Sequence, residues 1–169
     1  VHKVSIIPTS KGALGYTMEM PEEDRHLMSK PALEQRLAVM LGGRAAELAI
    51  FQQTSTGASK DLERATDLSR RMVTEFGMSE ALGPVRYAGP AGSGYLGHQA
   101  ASRNLSPDIE NLIDTEIRRL LDGAESTALE LIRTHEAALH EIARVLQEKE
   151  VIDGETVARI VTDEPVEEN

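Results

Sequence analysis

A mainly α fold, a helical bundle with a small N-terminal β hairpin, is the class this sequence predicts, and three observations carry the prediction. Apolar residues recur at helical spacing through most of the chain beyond residue 29. Aromatic residues make up only 3% of the chain and tryptophan is absent, so Leu, Ile, Val, Ala and Met must fill the core. That composition suits packed helices better than a β-sandwich. Apolar–polar alternation, the signature of a half-buried strand, is confined to the first 20 residues.

The β elements come first. Val4, Ile6 and Ile7 form a short apolar run that Pro8 stops, and Ser10-Lys11-Gly12 has the chemistry of a turn. Leu14, Tyr16 and Met18 then alternate with Gly15, Thr17 and Glu19, and Pro21-Glu22-Glu23-Asp24 ends the β region. A hairpin, or two neighbouring strands of a small sheet, is expected here.

The first helix is expected to open between Ser29 and Pro31. Serine can accept a hydrogen bond from a first-turn amide, and a proline in the first turn forfeits no helical bond. Leu33, Leu37, Met40, Leu41 and Leu48 follow at helical spacing. Gly42-Gly43 lies inside this helix, where each glycine costs about 1 kcal/mol relative to alanine. Close approach of another backbone is the expected reason for the pair. A polar connection spans 52–60, and a second helix runs from Ser59 or Lys60 to Phe76, with Leu62, Ala65, Leu68, Met72 and Val73 on its apolar face. Gly77 is placed to be its left-handed stop. The stretch 89–94, Gly-Pro-Ala-Gly-Ser-Gly, reads as a loop.

From Ser106-Pro107 the chain reads as helical almost to its end. Ile109, Leu112, Ile113, Glu116, Ile117, Leu120 and Leu121 mark one stripe, with a dent expected at Asp122-Gly123. A further helix is expected near Thr134, with Leu139, Ile142, Ala143 and Leu146 inward. Asp153 and Thr156 frame a last short helix carrying Val157, Ile160 and Val161. The acidic stretch 163–169 is expected to be a disordered tail following a single domain over 1–162.

Charge and composition narrow the function. A net charge of −10 over 169 residues repels phosphate backbones, so nucleic acid is not an expected partner. Without cysteine there is no disulfide, no thiolate metal site and no cysteine nucleophile. No apolar run approaches the ~20 residues a membrane-spanning helix needs. With neither a signal-peptide pattern nor a starting Met, the sequence reads as a soluble piece of something longer.

Five histidines invite a search for metal ligands. His135-Glu136-Ala137-Ala138-Leu139-His140 is similar to the two-histidine helix of zinc peptidases but fails on spacing. Histidines four apart are separated by about 400° of helical turn and face one metal; five apart, about 500°, they diverge by roughly 140°. His2, His26 and His98 have no partner at ligand spacing, and no Ser-His-Asp, nucleophile-elbow or phosphate-loop pattern is present. Thr56-Gly57-Ala58-Ser59-Lys60-Asp61 is of another kind: a glycine-containing turn delivers a carboxylate to a helix start. On physical grounds alone Asp61 is an acid favoured there by the helix dipole.

Several segments, in order and at matching spacing, resemble the M41 peptidase domain of FtsH-type proteases. They are Val1-His2-Lys3-Val4-Ser5-Ile6-Ile7-Pro8, Leu14-Gly15-Tyr16-Thr17, Pro21-Glu22-Glu23-Asp24 and Leu41-Gly42-Gly43-Arg44-Ala45-Ala46-Glu47. The series continues through Ser55 to Thr66, Gly77-Met78-Ser79, Leu82-Gly83-Pro84 and Tyr95-Leu96-Gly97, and weakens after Ser106. The resemblance implies a zinc endopeptidase behind an AAA+ ATPase domain that binds ATP, with a membrane anchor elsewhere in the protein. It further implies a homo-hexamer acting on membrane and soluble protein substrates, at the bacterial inner membrane with this domain facing the cytoplasm.

In that family zinc is held by two histidines of a His-Glu-x-x-His helix and an aspartate, which corresponds to Asp61. The motif's glutamate is the general base for a water that zinc activates. The helix lies upstream of the segment matching Val1 to Pro8, so the resemblance implies that these 169 residues alone are inactive. It also implies a place for Glu47 beside the metal centre, the alternative being a buried ion pair with an arginine. Leu14, Gly15, Tyr16 and Thr17 correspond to the edge strand along which substrate lies, the alternative being a plain core strand. The sequence departs from the family at Lys60, usually Asn, and at Leu48, often a second Glu. Lys60 supports a rival reading, a non-catalytic pseudo-peptidase scaffold or oligomerisation domain. A helical interaction module is the other rival.

Overall fold

A computed structural model describes residues 1–8, 15–18, 27–88 and 105–162. The chain divides into two compact units, one from Met28–Glu130 and one combining Val1–Leu27 with Leu131–Asn169. Five α-helices and three short strands are formed among the described residues, in keeping with the mainly α expectation. The expected loop at 89–94 and the tail at 163–169 lie outside them, as do His26 and His98.

The Met28–Glu130 unit opens with α1, Lys30–Phe51. Ser29 caps it, its hydroxyl accepting from the Ala32 amide at 3.4 Å, and Pro31 sits in the first turn. Gln52, in the left-handed region at φ 55°, ends it. A 3-10 turn, Thr56–Ala58, leads into α2, Ser59–Thr74. Leu37 of α1 and Met72 and Val73 of α2 are fully buried, each such side chain contributing about 1.5–3 kcal/mol of transfer free energy. Gly77 takes φ +63° just past α2, and the Met78 amide donates to the Met72 carbonyl at 3.0 Å, which makes Gly77 the stop expected from sequence.

Helix α3, Pro107–Thr134, runs unbroken through Asp122-Gly123, so the dent expected there does not form. Glu116 lies on its buried stripe beside Ile113 and Ile117, as the spacing implies. At Gly42 and Gly43 an added Cβ would meet nothing within 4 Å, so no backbone among the described residues approaches the pair. The close approach expected there is corrected accordingly.

In the other unit the strands β1, Lys3–Ser5, β2, Tyr16–Met18, and β3, Val151–Asp153, form an antiparallel sheet in the order β2-β1-β3. Val4 pairs with Thr17 on one side and with Ile152 on the other. The expected hairpin is therefore two-thirds of a sheet whose third strand comes from the far end of the sequence. Helices α4, Glu136–Lys149, and α5, Gly154–Val161, cover it. Ala138, Val145, Leu146, Ile152 and Ile160 form the core, with Val4, Ile142 and Val157 packed against it.

Four details differ from expectation in this unit. Ile6 and Ile7 lie beyond β1 and are exposed, while Ser5 is buried. Tyr16 and Met18 are exposed rather than half-buried, because they pair with Ser5 and Lys3 on the sheet face opposite Val4 and Ile152, which carry the core. Ala143 faces outward while Ala138 and Val145 take the inward positions, and Val161 is exposed. Asp153 caps α5 as expected, its carboxylate accepting from the Thr156 amide at 2.8 Å.

Candidate metal centre and peptide edge

Asp61 sits in the first turn of α2, partly buried. Its carboxylate forms no ion pair or hydrogen bond with a described residue. The neighbouring Lys60 is exposed and does not pair with it. Adjacent side chains on a helix diverge by about 100°. Helix α2 has no side-chain cap of its own, since Ala58 stands at the capping position.

The turn before α2 is held from α1 instead. The Ser55 amide donates to Oε2 of Glu47 at 2.8 Å, and the Ser55 hydroxyl donates to Oε1 of the same carboxylate. Ser55 Oγ in turn accepts from the Gly57 amide at 3.1 Å, capping the 3-10 turn. Two hydrogen bonds onto one carboxylate favour its charged form. The Ser55 hydroxyl, then its amide, holds Glu47 below the usual carboxylate range against slight burial, with a smaller contribution from the charge of Arg44. Arg44 itself pairs with Glu125 at 2.7 Å. The arginine pair considered for Glu47 is thus not formed; its hydrogen-bond partner is Ser55.

His135 is the non-helical residue before α4 and only His140 lies on the helix, so the two histidines do not share one helix as expected from sequence. His135 Nδ1 lies 3.0 Å from the Leu131 carbonyl, while His140 faces Glu136 at 3.7 Å. No group of three or more His, Cys, Asp or Glu arranged to hold a metal occurs among the described residues. None of the described helices is long and apolar enough to cross a membrane.

The residues expected along the peptide edge lie in the other unit. Leu14 falls outside the described residues. Tyr16 and Thr17 belong to β2, which is exposed along its length and has no strand on its outer side among the described residues. Gly15 precedes it with its Cα against β1, where an added Cβ would come within 2.6 Å of the Ser5 carbonyl oxygen. Only glycine fits this approach. Sequence reasoning gave Ser55 no role. A serine two residues before a glycine at the end of a polar connection is the local signal for a hydroxyl-capped turn, and could have found it.

The sequence matches Peptidase family M41 over residues 1–160. The chain belongs to that family. It is 42% identical to the ATP-dependent zinc metalloprotease FtsH of Pseudothermotoga lettingae, over 99% of this chain and 27% of that protein. To the ATP-dependent zinc metalloprotease FtsH 1 of Thermomicrobium roseum it is 47% identical, over 98% of this chain and 25% of that protein. The chain therefore spans about a quarter of the length of the curated relatives it matches.

Zinc, which those names carry, can be tested against the donors present. An unpaired, partly buried carboxylate is suitable zinc chemistry and fits one ligand position. Three or four ligands complete a site, and the described residues offer no such set.

Proposed function

We propose that this chain is the back part of the proteolytic domain of an ATP-dependent zinc endopeptidase, with Asp61 as one of three protein ligands to the metal. The observation that carries the reading is the unpaired carboxylate of Asp61 at the head of α2, behind a turn fixed from α1 by Glu47. Glu47 stands behind the metal centre rather than on the metal. The other two ligands and the general base come from a His-Glu-x-x-His helix upstream of Val1. Zinc supplies a Lewis acid that activates water and polarises the peptide carbonyl.

Protein substrate is bound by addition of an extended segment to the outer edge of β2, beside Gly15, Tyr16 and Thr17. Exposure of the whole strand and its place at the sheet edge support this. The whole protein is read as a membrane-anchored homo-hexamer with its own AAA+ domain, sited at a bacterial inner membrane with this part in the cytoplasm. The bacterial FtsH relatives support that assignment.

The test uses the longer protein that includes the upstream helix. Bound zinc is counted per subunit and casein cleavage is followed, for the native sequence and for Asp61→Ala. Near-stoichiometric zinc and cleavage are expected for the first, and loss of both for the second. Unchanged zinc in Asp61→Ala overturns the reading.

A further inference from the structure

We infer that Ser55 is a positioning residue for Asp61, acting with Glu47 as a lock on the turn that begins α2. The inference rests on the reading of Asp61 as a metal ligand and adds the means by which that carboxylate is held in place.

Between Gln52, where α1 ends, and Ser59, where α2 begins, the backbone is exposed except at Ala58. A connection of this kind would ordinarily be loose. Here one hydrogen-bonded path crosses it. Both oxygens of Glu47 accept from Ser55, one from its amide and one from its hydroxyl, and the Ser55 oxygen accepts the Gly57 amide. The Ser59 amide then closes on the Thr56 carbonyl. Two bonds to one carboxylate fix orientation as well as distance, which a single bond cannot do.

Three further facts point to the same role. Helix α2 lacks a capping side chain, so its first turn inherits its position from the turn before it. Among the described residues no cation pairs with Glu47, Arg44 being engaged by Glu125, and both carboxylate oxygens meet Ser55. An added Cβ at Gly57 would lie 3.2 Å from Ser55 Oγ and 3.8 Å from Glu47 Oε1, so the turn backbone packs directly on the lock. Asp61 is four residues further on, one helical turn away. Metal ligands tolerate displacements of only a few tenths of an ångström, and loss of a group that orients a ligand typically weakens metal binding about 10–100-fold.

The experiment measures zinc affinity of the longer protein by competition with a chromophoric chelator, with ATPase activity as a control for folding. Ser55→Ala is expected to bind zinc at least about tenfold more weakly with ATPase activity retained. Ser55→Thr, which keeps the hydroxyl, is expected to restore binding to within a factor of about two. Glu47→Gln combined with Ser55→Ala is expected to be no worse than Ser55→Ala alone, since both break one path.

Native affinity in Ser55→Ala, alongside lost zinc in Asp61→Ala, overturns the lock and leaves Asp61 a ligand. Native affinity in Asp61→Ala overturns the underlying reading itself. Amide exchange on the unaltered chain gives a check that needs no variant. Protection at Ser55 and Gly57 is expected, and exchange at open-coil rates at both overturns the lock.

Discussion

The two ends of α2 are held by the same device in opposite settings. At its start, Ser55 donates to Glu47 and accepts from the Gly57 amide. Past its end, Ser79 donates to Glu116 at 2.7 Å and accepts from the Leu82 amide at 3.2 Å. In each case a helix glutamate grips a turn serine, and the serine oxygen caps the backbone that follows. The second pair is buried, and the fork of Arg119 meets Glu116 at 2.9 and 3.1 Å. The first pair lies at an exposed turn, and among the described residues no cation closes on Glu47. A buried carboxylate must be balanced, or the desolvation of its charge outweighs what its hydrogen bonds return. An exposed one can be left open. The far pair is therefore a closed structural clamp, while the near pair keeps its charge beside a turn that leads to another unpaired acid, Asp61.

The largest effect expected from this contrast is on stability at the far end. Glu116→Ala leaves the buried Ser79 hydroxyl and the Arg119 fork without their acceptor. It should destabilise the chain by about 2 kcal/mol, the scale of hydrogen bonds to a charged group. Urea unfolding followed by circular dichroism gives the value. Glu47→Ala in the same assay should move the midpoint far less, because water replaces what the exposed turn loses. Equal losses from the two variants would erase the distinction drawn between the ends.

Acid should reveal the same difference more weakly. The hydrogen bonds from Arg119 first, and from Ser79 after it, hold Glu116 below its ordinary value of 4.5 against the opposing effect of burial. A carboxyl lowered in the folded state stabilises the fold fully above its unfolded value and loses that contribution as pH falls through the folded one. Thermal midpoints taken from pH 7 down to pH 3 should therefore fall, and Glu116→Gln should flatten part of the decline below about pH 4.5. A decline of unchanged depth in Glu116→Gln would mean that this clamp does not carry the acid sensitivity.

How much of this was readable in the sequence follows from distance along the chain. Ser29, Asp153 and Gly77 were legible because capping and left-handed stops are local chemistry, decided within four residues. The strand β3 was not legible. Three residues are too few to show alternation, and Val151-Ile152 becomes a strand only because β1, about 150 residues earlier, offers its other edge. The exposure of Tyr16 and Met18 was hidden for the same reason, since the sheet face that meets the core is decided by β3, α4 and α5 at the far end of the chain. Of the candidate site, Asp61 was proposed through family resemblance and Glu47 only as a neighbour of the proposed metal centre. The partner of Glu47 was not, because a glutamate eight residues before a serine has no signature until the turn folds back. Glu116 was visible as a polar residue on an apolar stripe, but its separation of 37 positions from Ser79 concealed why it is there.

The smallest expected effect concerns the helix that carries the near lock. Gly43 lies one turn before Glu47 on α1, and at both Gly42 and Gly43 a methyl group would meet nothing within 4 Å. Two glycines in a helix interior cost conformational entropy, and among the described residues nothing lies where their side chains would be. Gly43, the exposed one of the two, is the cleaner test. Gly43→Ala should stabilise the chain by about 0.5–1 kcal/mol, read as a raised urea midpoint, and should stiffen the helix under Glu47. Slower amide exchange at Ser55 in that variant would tie the near lock to the rigidity of its helix. A lowered midpoint would instead mean that the glycine pair serves the close approach its sequence suggested.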